Sequence, residues 1–330
     1  MKEILNSLFE HKSLDKQTAK EILMNLTQGK YNASQVAAFL TVYLMRSITV
    51  QELEGFREAM LELCVPVDLK DFDVIDLCGT GGDGKNTFNI STLASFVTAG
   101  AGQNVAKHGN SSVSSICGSS NVMAHFGCVF TNDGDLLKKM VEKAGICFLH
   151  APLFHPAMKN VAPIRKELGV KTFFNMLGPM VNPAFPNKQM VGVYSLDLAR
   201  LYGYLYQNIN KKFMIIHSLD GYDEVSLTSP FKAIDENGER IIDPEEAGFT
   251  RVMPGELFGG DTVEKAARIF IDVLENRGTR AQKEAVIANA AMAIRCGKGV
   301  SMDDAVGMAR ESLESGKALA AFEKLIEFKA

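Results

Sequence analysis

The sequence predicts an α/β protein: a small all-helical N-terminal domain over residues 1–70 and a large α/β domain over residues 71–330, the latter on a mainly parallel central sheet. Three observations lead there. Apolar residues recur at helical spacing through residues 1–64. After a linker, Val65-Pro66-Val67-Asp68-Leu69-Lys70-Asp71, short β runs alternate with helices, which implies parallel strands covered on both faces. The first of those strands runs straight into Gly79, Gly81, Gly82 and Gly84, and in such sheets ligands bind beyond the carboxyl ends of strands.

Taken in order, Ser13 precedes a helical run with Leu14, Ile22, Leu23 and Leu26 inward, closed by Gly29. Ser34 opens a second helix with Val36, Ala37, Phe39, Leu40, Tyr43 and Leu44; it is apolar around most of its circumference, which suggests burial on two sides, as at a subunit interface. Thr49 and Glu52 form a capping box for a third, with Leu53, Phe56, Met60 and Leu63 inward. Strands are expected at 74–77, 104–106, 128–130, 146–149, 190–194 and 213–217, and Ala-rich helices at 283–295 and 303–315. A segment at about 166–185 is expected to pack on the helical domain. No internal repeat or low-complexity tract is seen.

Composition narrows the function. The formal net charge of −4, without a basic run, argues against general nucleic-acid binding. No stretch of about 20 apolar residues exists to span a membrane. The opening Met1-Lys2-Glu3-Ile4-Leu5 is charged and is not expected to act as a signal peptide. Cys64, Cys78, Cys117, Cys128, Cys147 and Cys296 are scattered without metal-binding spacing, so buried free thiols in a reducing cytoplasm are expected.

The chemistry concentrates in a few stretches. In Gly79-Thr80-Gly81-Gly82-Asp83-Gly84, glycines let backbone N–H groups face a ligand, and Asn89-Ile90-Ser91-Thr92 opens a helix whose positive end attracts phosphate. A dinucleotide loop needs an acidic residue after the next strand, and Lys107-His108 stands there instead. A nucleoside triphosphate loop needs Ser or Thr after its lysine, and Asn86 follows Lys85. A third reading uses more residues: Lys107 and the run His108-Gly109-Asn110-Ser111-Ser112-Val113-Ser114-Ser115, then Ser119, supply a cation and many donors for a second phosphate or the far end of a diphosphate. His155 and Arg165 lie in a proline-bounded segment, and an arginine can clamp a planar carboxylate through two parallel hydrogen bonds. Asn175-Met176-Leu177-Gly178-Pro179 reads as a turn forming one wall of a pocket. Asp223-Glu224 follows a strand and, with the hydroxyl of Ser91, is a candidate magnesium site.

In that order along nearly the whole chain, Gly79-Thr80-Gly81-Gly82-Asp83, Asn89-Ile90-Ser91-Thr92, Lys107-His108-Gly109-Asn110, His155-Pro156-Ala157-Met158, Arg165, Asn175-Met176-Leu177-Gly178-Pro179 and Asp223-Glu224 resemble the anthranilate phosphoribosyltransferases. The resemblance implies a fold of the nucleoside phosphorylase and phosphoribosyltransferase kind, dimerised through the helices. It implies transfer of phosphoribose from phosphoribosyl pyrophosphate to anthranilate in tryptophan biosynthesis. Carried over, Gly79, Gly82, Asp83, Thr87, Asn89, Ile90, Ser91, Thr92, Lys107 and the stretch from His108 to Ser119 would hold phosphoribosyl pyrophosphate. Gly79, His108, Asn110, His155 and Arg165 would hold anthranilate, and Ser91, Asp223 and Glu224 would bind Mg2+. Two departures stand out: Ser111 replaces a common arginine and Ile116 a frequent lysine, so positive charge near the ligands is missing. The glycine loop alone also resembles that of pyrimidine nucleoside phosphorylases, which would run similar chemistry with free phosphate and without need of Asp223 and Glu224.

Overall fold

Four helices open the chain, and three of them are started by a side chain that satisfies free backbone donors. A computed structural model describes residues 1–111 and 116–329. Helix α1 spans Lys2–Phe9, α2 Lys16–Thr27, α3 Ala33–Met45 and α4 Val50–Glu62. Asp15 caps α2, and Asn32 with Gln35 forms a capping box on α3, so the cap is Asn32 rather than the expected Ser34. Thr49 and Glu52 form the expected box on α4. Glu52 also accepts from the Leu14 N–H, the Tyr43 hydroxyl and the Arg46 guanidinium. Burial alone would raise its pKa; the Arg46 pair and the backbone donors outweigh that and hold the carboxyl below the usual range.

These helices belong to a compact unit made of Met1–Pro66 and Pro152–Pro183; the second segment begins and ends earlier than the expected 166–185. Inside the unit Phe173 stacks on Phe56 at 4.6 Å and meets Phe39 and Tyr43 edge-on. Arg57 donates to the Met180 carbonyl. Helices α2 and α4 touch where Gly55 has no side chain: a Cβ there would lie 2.3 Å from the Lys16 carbonyl oxygen. Gly55→Ala is therefore expected to cost about 1–3 kcal/mol from overpacking, more than the roughly 0.5–1 kcal/mol that alanine gains in a helix. A lower urea midpoint at unchanged slope is the result to look for.

The second unit, Val67–Ala151 with Ala184–Ala330, carries one seven-stranded sheet. Its strands are β1 (Ile75–Gly79), β2 (Val105–Gly109), β3 (Ile146–His150), β4 (Lys188–Gly192), β5 (Lys212–Ser218), β6 (Phe231–Asp235) and β7 (Gly238–Ile242), in the order β3-β2-β1-β4-β5-β6-β7. Strands β1 to β5 are parallel; β6 and β7 add an antiparallel hairpin at one edge. Helix α5 (Ile90–Gly100) is buried on nearly every side, as is most of the helix Arg280–Lys298, because both lie in the core rather than over it.

Residues 128–130 form no strand; Phe130 packs flat on the ring of His150, 4.7 Å away, and caps the end of β3. Strand β2 runs beyond its expected end and through Gly109, which makes Lys107 a strand residue.

Candidate functional site

Strand order reverses between β1 and β4, which are paired out to Gly79 and Gly192 at their carboxyl ends. A reversal of this kind leaves a crevice where neighbouring loops diverge. Four segments meet there: the glycine loop after β1, the amino end of α5, the end of β2, and the turn 218–226 after β5. The Gly81 N–H donates to Asp223 Oδ2 at 2.6 Å, and the Ser91 N–H donates to Glu224 Oε1 at 3.0 Å. Two donors that the sequence offers to a phosphate thus hold the acidic pair.

The acidic turn can approach because the strand ends are bare. A Cβ on Gly79 would sit 2.4 Å from Asp223 Oδ2, and one on Gly192 only 1.5 Å from the Asp223 carbonyl oxygen. The turn is also braced from behind. Ser218 Oγ donates to the Glu224 carbonyl at 2.6 Å. Asn289, fully buried in the helix Arg280–Lys298, accepts from the Val225 N–H at 3.0 Å and donates to the Val225 carbonyl at 2.9 Å. Nothing in the sequence marked Ser218 or Asn289, since a side chain's grip on a turn leaves no local pattern. Gly192 carried a signal, a glycine inside an expected strand, which often marks a close backbone approach.

Electrostatics mark this turn as incomplete. Burial and the neighbouring Asp83 push the Asp223 carboxyl up to about 7. Burial and Asp223 push Glu224 well above the usual range, and Glu224 Oε2 is buried without a partner. A divalent cation would answer both the repulsion and the orphaned oxygen. Among the described residues no three His, Cys, Asp or Glu side chains form a metal cage. Two carboxylates suit magnesium, which takes its remaining ligands from waters and substrate phosphates.

An acid whose folded pKa is raised binds more protons folded than unfolded, so the metal-free chain loses stability as pH rises between the two values. Chelator-treated wild type is therefore expected to lose thermal stability relative to Asp223→Asn as pH goes from about 5 to about 8, and Mg2+ to restore it mainly at the upper end. Scanning calorimetry of the two proteins with and without Mg2+ tests this; parallel pH profiles would contradict it.

Lys107 differs from the expectation of an open loop cation. Its ammonium is fully buried and donates to the Leu77 carbonyl at 2.6 Å. Burial lowers its pKa, while Cys78, Asp76 and Glu224 favour its charge, so it acts on Glu224 through its field. The neighbouring Asp76 accepts from the His108 N–H and from Gln189. Asn89 donates to the Cys117 carbonyl and keeps a buried oxygen without a partner. Thr92 is buried, and Thr87 bridges Phe258. Asn110 accepts from the Ser111 N–H, and its carbonyl accepts from Ser119 and Ser120. Ser112, Val113, Ser114 and Ser115 lie outside the described residues. All six cysteines are buried and unbridged.

His155 and Arg165 belong to the helical unit, and His155 is buried. Arg165, on the short helix Ala162–Leu168, is half-buried. Its Nη2 donates to Asn175 Oδ1 at 3.2 Å and its guanidinium lies 5.2 Å from the centroid of the Phe174 ring. Its Nε is buried without a partner, and burial lowers its pKa. A desolvated guanidinium without a carboxylate among the described residues is a seat for an anionic ligand. The sequence singled out Arg165; it did not show that Phe174 and Asn175 hold it.

A helical bundle preceding an α/β domain with a glycine-rich loop at its switch point defines a class. The model of the glycosyl transferase family α/β domain matches residues 71–319, and that of the family's helical bundle domain matches residues 2–64. Anthranilate phosphoribosyltransferase of Flavobacterium johnsoniae is 60% identical, over 99% of each chain, and that of Christiangramia forsetii is 58% identical over 98% of each. Among solved structures, anthranilate phosphoribosyltransferase from Thermus thermophilus superposes with a TM-score of 0.91 at 31% identity, covering 98% of both chains. The Saccharomyces cerevisiae enzyme in complex with PRPP and Mg gives 0.89 at 27% identity, covering 98% of this chain and 96% of that one. The chain belongs to the anthranilate phosphoribosyltransferase family of glycosyltransferases.

Proposed function

We propose that this chain transfers the phosphoribosyl group of 5-phosphoribosyl 1-pyrophosphate to the amino group of anthranilate, releasing pyrophosphate, as a step of tryptophan biosynthesis. One observation carries the reading: at the strand-order reversal, N–H groups of Gly81 and Ser91 hold a carboxylate pair over the glycine loop. That gives a diphosphate a place for its cation, which phosphorolysis with free phosphate does not need.

In this reading Gly79, Gly82, Asp83, Thr87, Asn89, Ile90, Ser91, Thr92, Gly109 and the stretch to Ser119 bind the sugar phosphates, and Ser91, Asp223 and Glu224 hold Mg2+. When bound, the ion neutralises charge developing on the leaving pyrophosphate. Lys107 strengthens the same field from within the sheet. Arg165 takes the carboxylate of anthranilate, with Gly79 and Asn110 against the amine substrate. The nucleophile is an aromatic amine, neutral at pH 7, so it needs no strong base; His108 and His155 orient it or receive a late proton. Substitution at ribose C1 then depends chiefly on holding amine and C1 in line. Phe9, Leu44 and Met45 stand exposed on the helical unit, which supports a homodimer through these helices. Buried free thiols support a cytoplasmic enzyme.

The test is consumption of phosphoribosyl pyrophosphate by the purified chain, with anthranilate and Mg2+ omitted in turn. Turnover only when both are present is expected. Phosphorolysis of thymidine or uridine instead would overturn the reading.

A further inference from the structure

The turn that follows Arg165 makes more of Asn175 than a pocket wall. Its Oδ1 accepts from two donors, the Thr172 N–H at 3.1 Å and Arg165 Nη2 at 3.2 Å, while its own N–H donates to the Thr172 carbonyl at 2.9 Å. Backbone on both sides of the amide therefore fixes where that oxygen stands, and the guanidinium is tied to it. The ring of Phe174 covers the same group. Both partners are neutral. An aspartate at this position could make the same two hydrogen bonds, but it would also neutralise the arginine. We propose that Asn175 is a positioning residue for the amine substrate: its amide oxygen orients Arg165 toward the substrate carboxylate and, being uncharged, leaves the arginine's charge for that carboxylate.

This rests on the assignment of Arg165 to anthranilate, and the experiment separates the two. Asn175→Asp keeps an acceptor for the Thr172 N–H, so the turn is retained, while an internal ion pair competes with the substrate. Its KM for anthranilate is expected to rise about 10- to 100-fold, the range spanned by one charge-assisted hydrogen bond, with KM for phosphoribosyl pyrophosphate within about twofold of wild type. Aniline, which lacks the carboxylate, serves as the second probe: the anthranilate-to-aniline ratio of kcat/KM should fall in Asn175→Asp while turnover of aniline holds. Asn175→Ser, with a shorter acceptor, should move KM for anthranilate in the same direction by less, and circular dichroism shows which variants are folded. If folded Asn175→Asp or Asn175→Ser keeps the wild-type KM for anthranilate, or if both substrates' KM values rise together, the positioning role is overturned. If wild type itself shows no preference for anthranilate over aniline, the assignment of Arg165 fails instead.

Discussion

Arg165→Ala is expected to lower kcat/KM for anthranilate about 100- to 1,000-fold, equivalent to roughly 2.7–4 kcal/mol, while KM for phosphoribosyl pyrophosphate changes little. The same variant is expected to keep or raise its melting temperature. The guanidinium is desolvated, has no carboxylate partner among the described residues, and has an Nε with no acceptor. Such a group costs stability in the free protein and recovers it only when an anion binds. Opposite signs for activity and stability distinguish a binding arginine from a structural one, whose loss lowers both. Arg165→Lys should not rescue, because an ammonium cannot offer the planar pair of donors. Steady-state kinetics with each substrate varied, together with a melting curve, provide the check. A fall in melting temperature with unchanged anthranilate kinetics would assign Arg165 to the scaffold.

The second large effect is expected at Gly192, a residue with no functional group. A methyl there would lie 1.5 Å from the Asp223 carbonyl oxygen and 2.5 Å from its carbon, both backbone atoms. The turn cannot yield easily, since Ser218 and Asn289 grip it from the other side. Gly192→Ala should therefore displace Asp223 and Glu224, cost about 1–3 kcal/mol in folding, and reduce Mg2+-dependent turnover by about 100-fold or more. Gly307→Ala provides the contrast. It lies within the helix Met302–Glu314 with nothing within 4 Å of a new Cβ, so a gain of up to about 1 kcal/mol is expected. Urea denaturation and Mg2+ titrations of the two variants test the pair; similar behaviour would mean that the close approach at Gly192 is unimportant.

The parts of this molecule that could be read from sequence are those whose reasons are local. The capping box at Thr49 and Glu52 is a short-range hydrogen-bond pattern, and the glycine loop announces its backbone needs by composition. Asp223 and Glu224 were legible as an acidic turn after a strand. What was not legible depends on partners distant in sequence. Lys107 reads as a loop cation until β2 is seen to continue to Gly109, which carries the side chain inside. The β6–β7 hairpin is hard to see in the sequence because β7 (Gly-Glu-Arg-Ile-Ile) is almost wholly exposed and lacks the alternation of a half-buried strand, although Asn237-Gly238 at its turn is a hairpin signal. Residues 128–130 carried an apolar run too short to separate a strand from a buried loop. Asn175 could be seen, but its hold on Arg165 could not.

The aromatic cluster in the helical unit has a consequence for biosynthesis of the chain itself. Phe39, Tyr43 and Phe56 emerge early from the ribosome, whereas Phe173, the ring that fills the space among them, is made only after β1, β2 and β3. The nascent N-terminal segment must therefore wait with apolar surface uncovered, and closing so long a loop delays its completion. A truncated product ending near Pro66 would be left in that waiting state and prone to clump, so the helical segment is poor material for a stand-alone fragment.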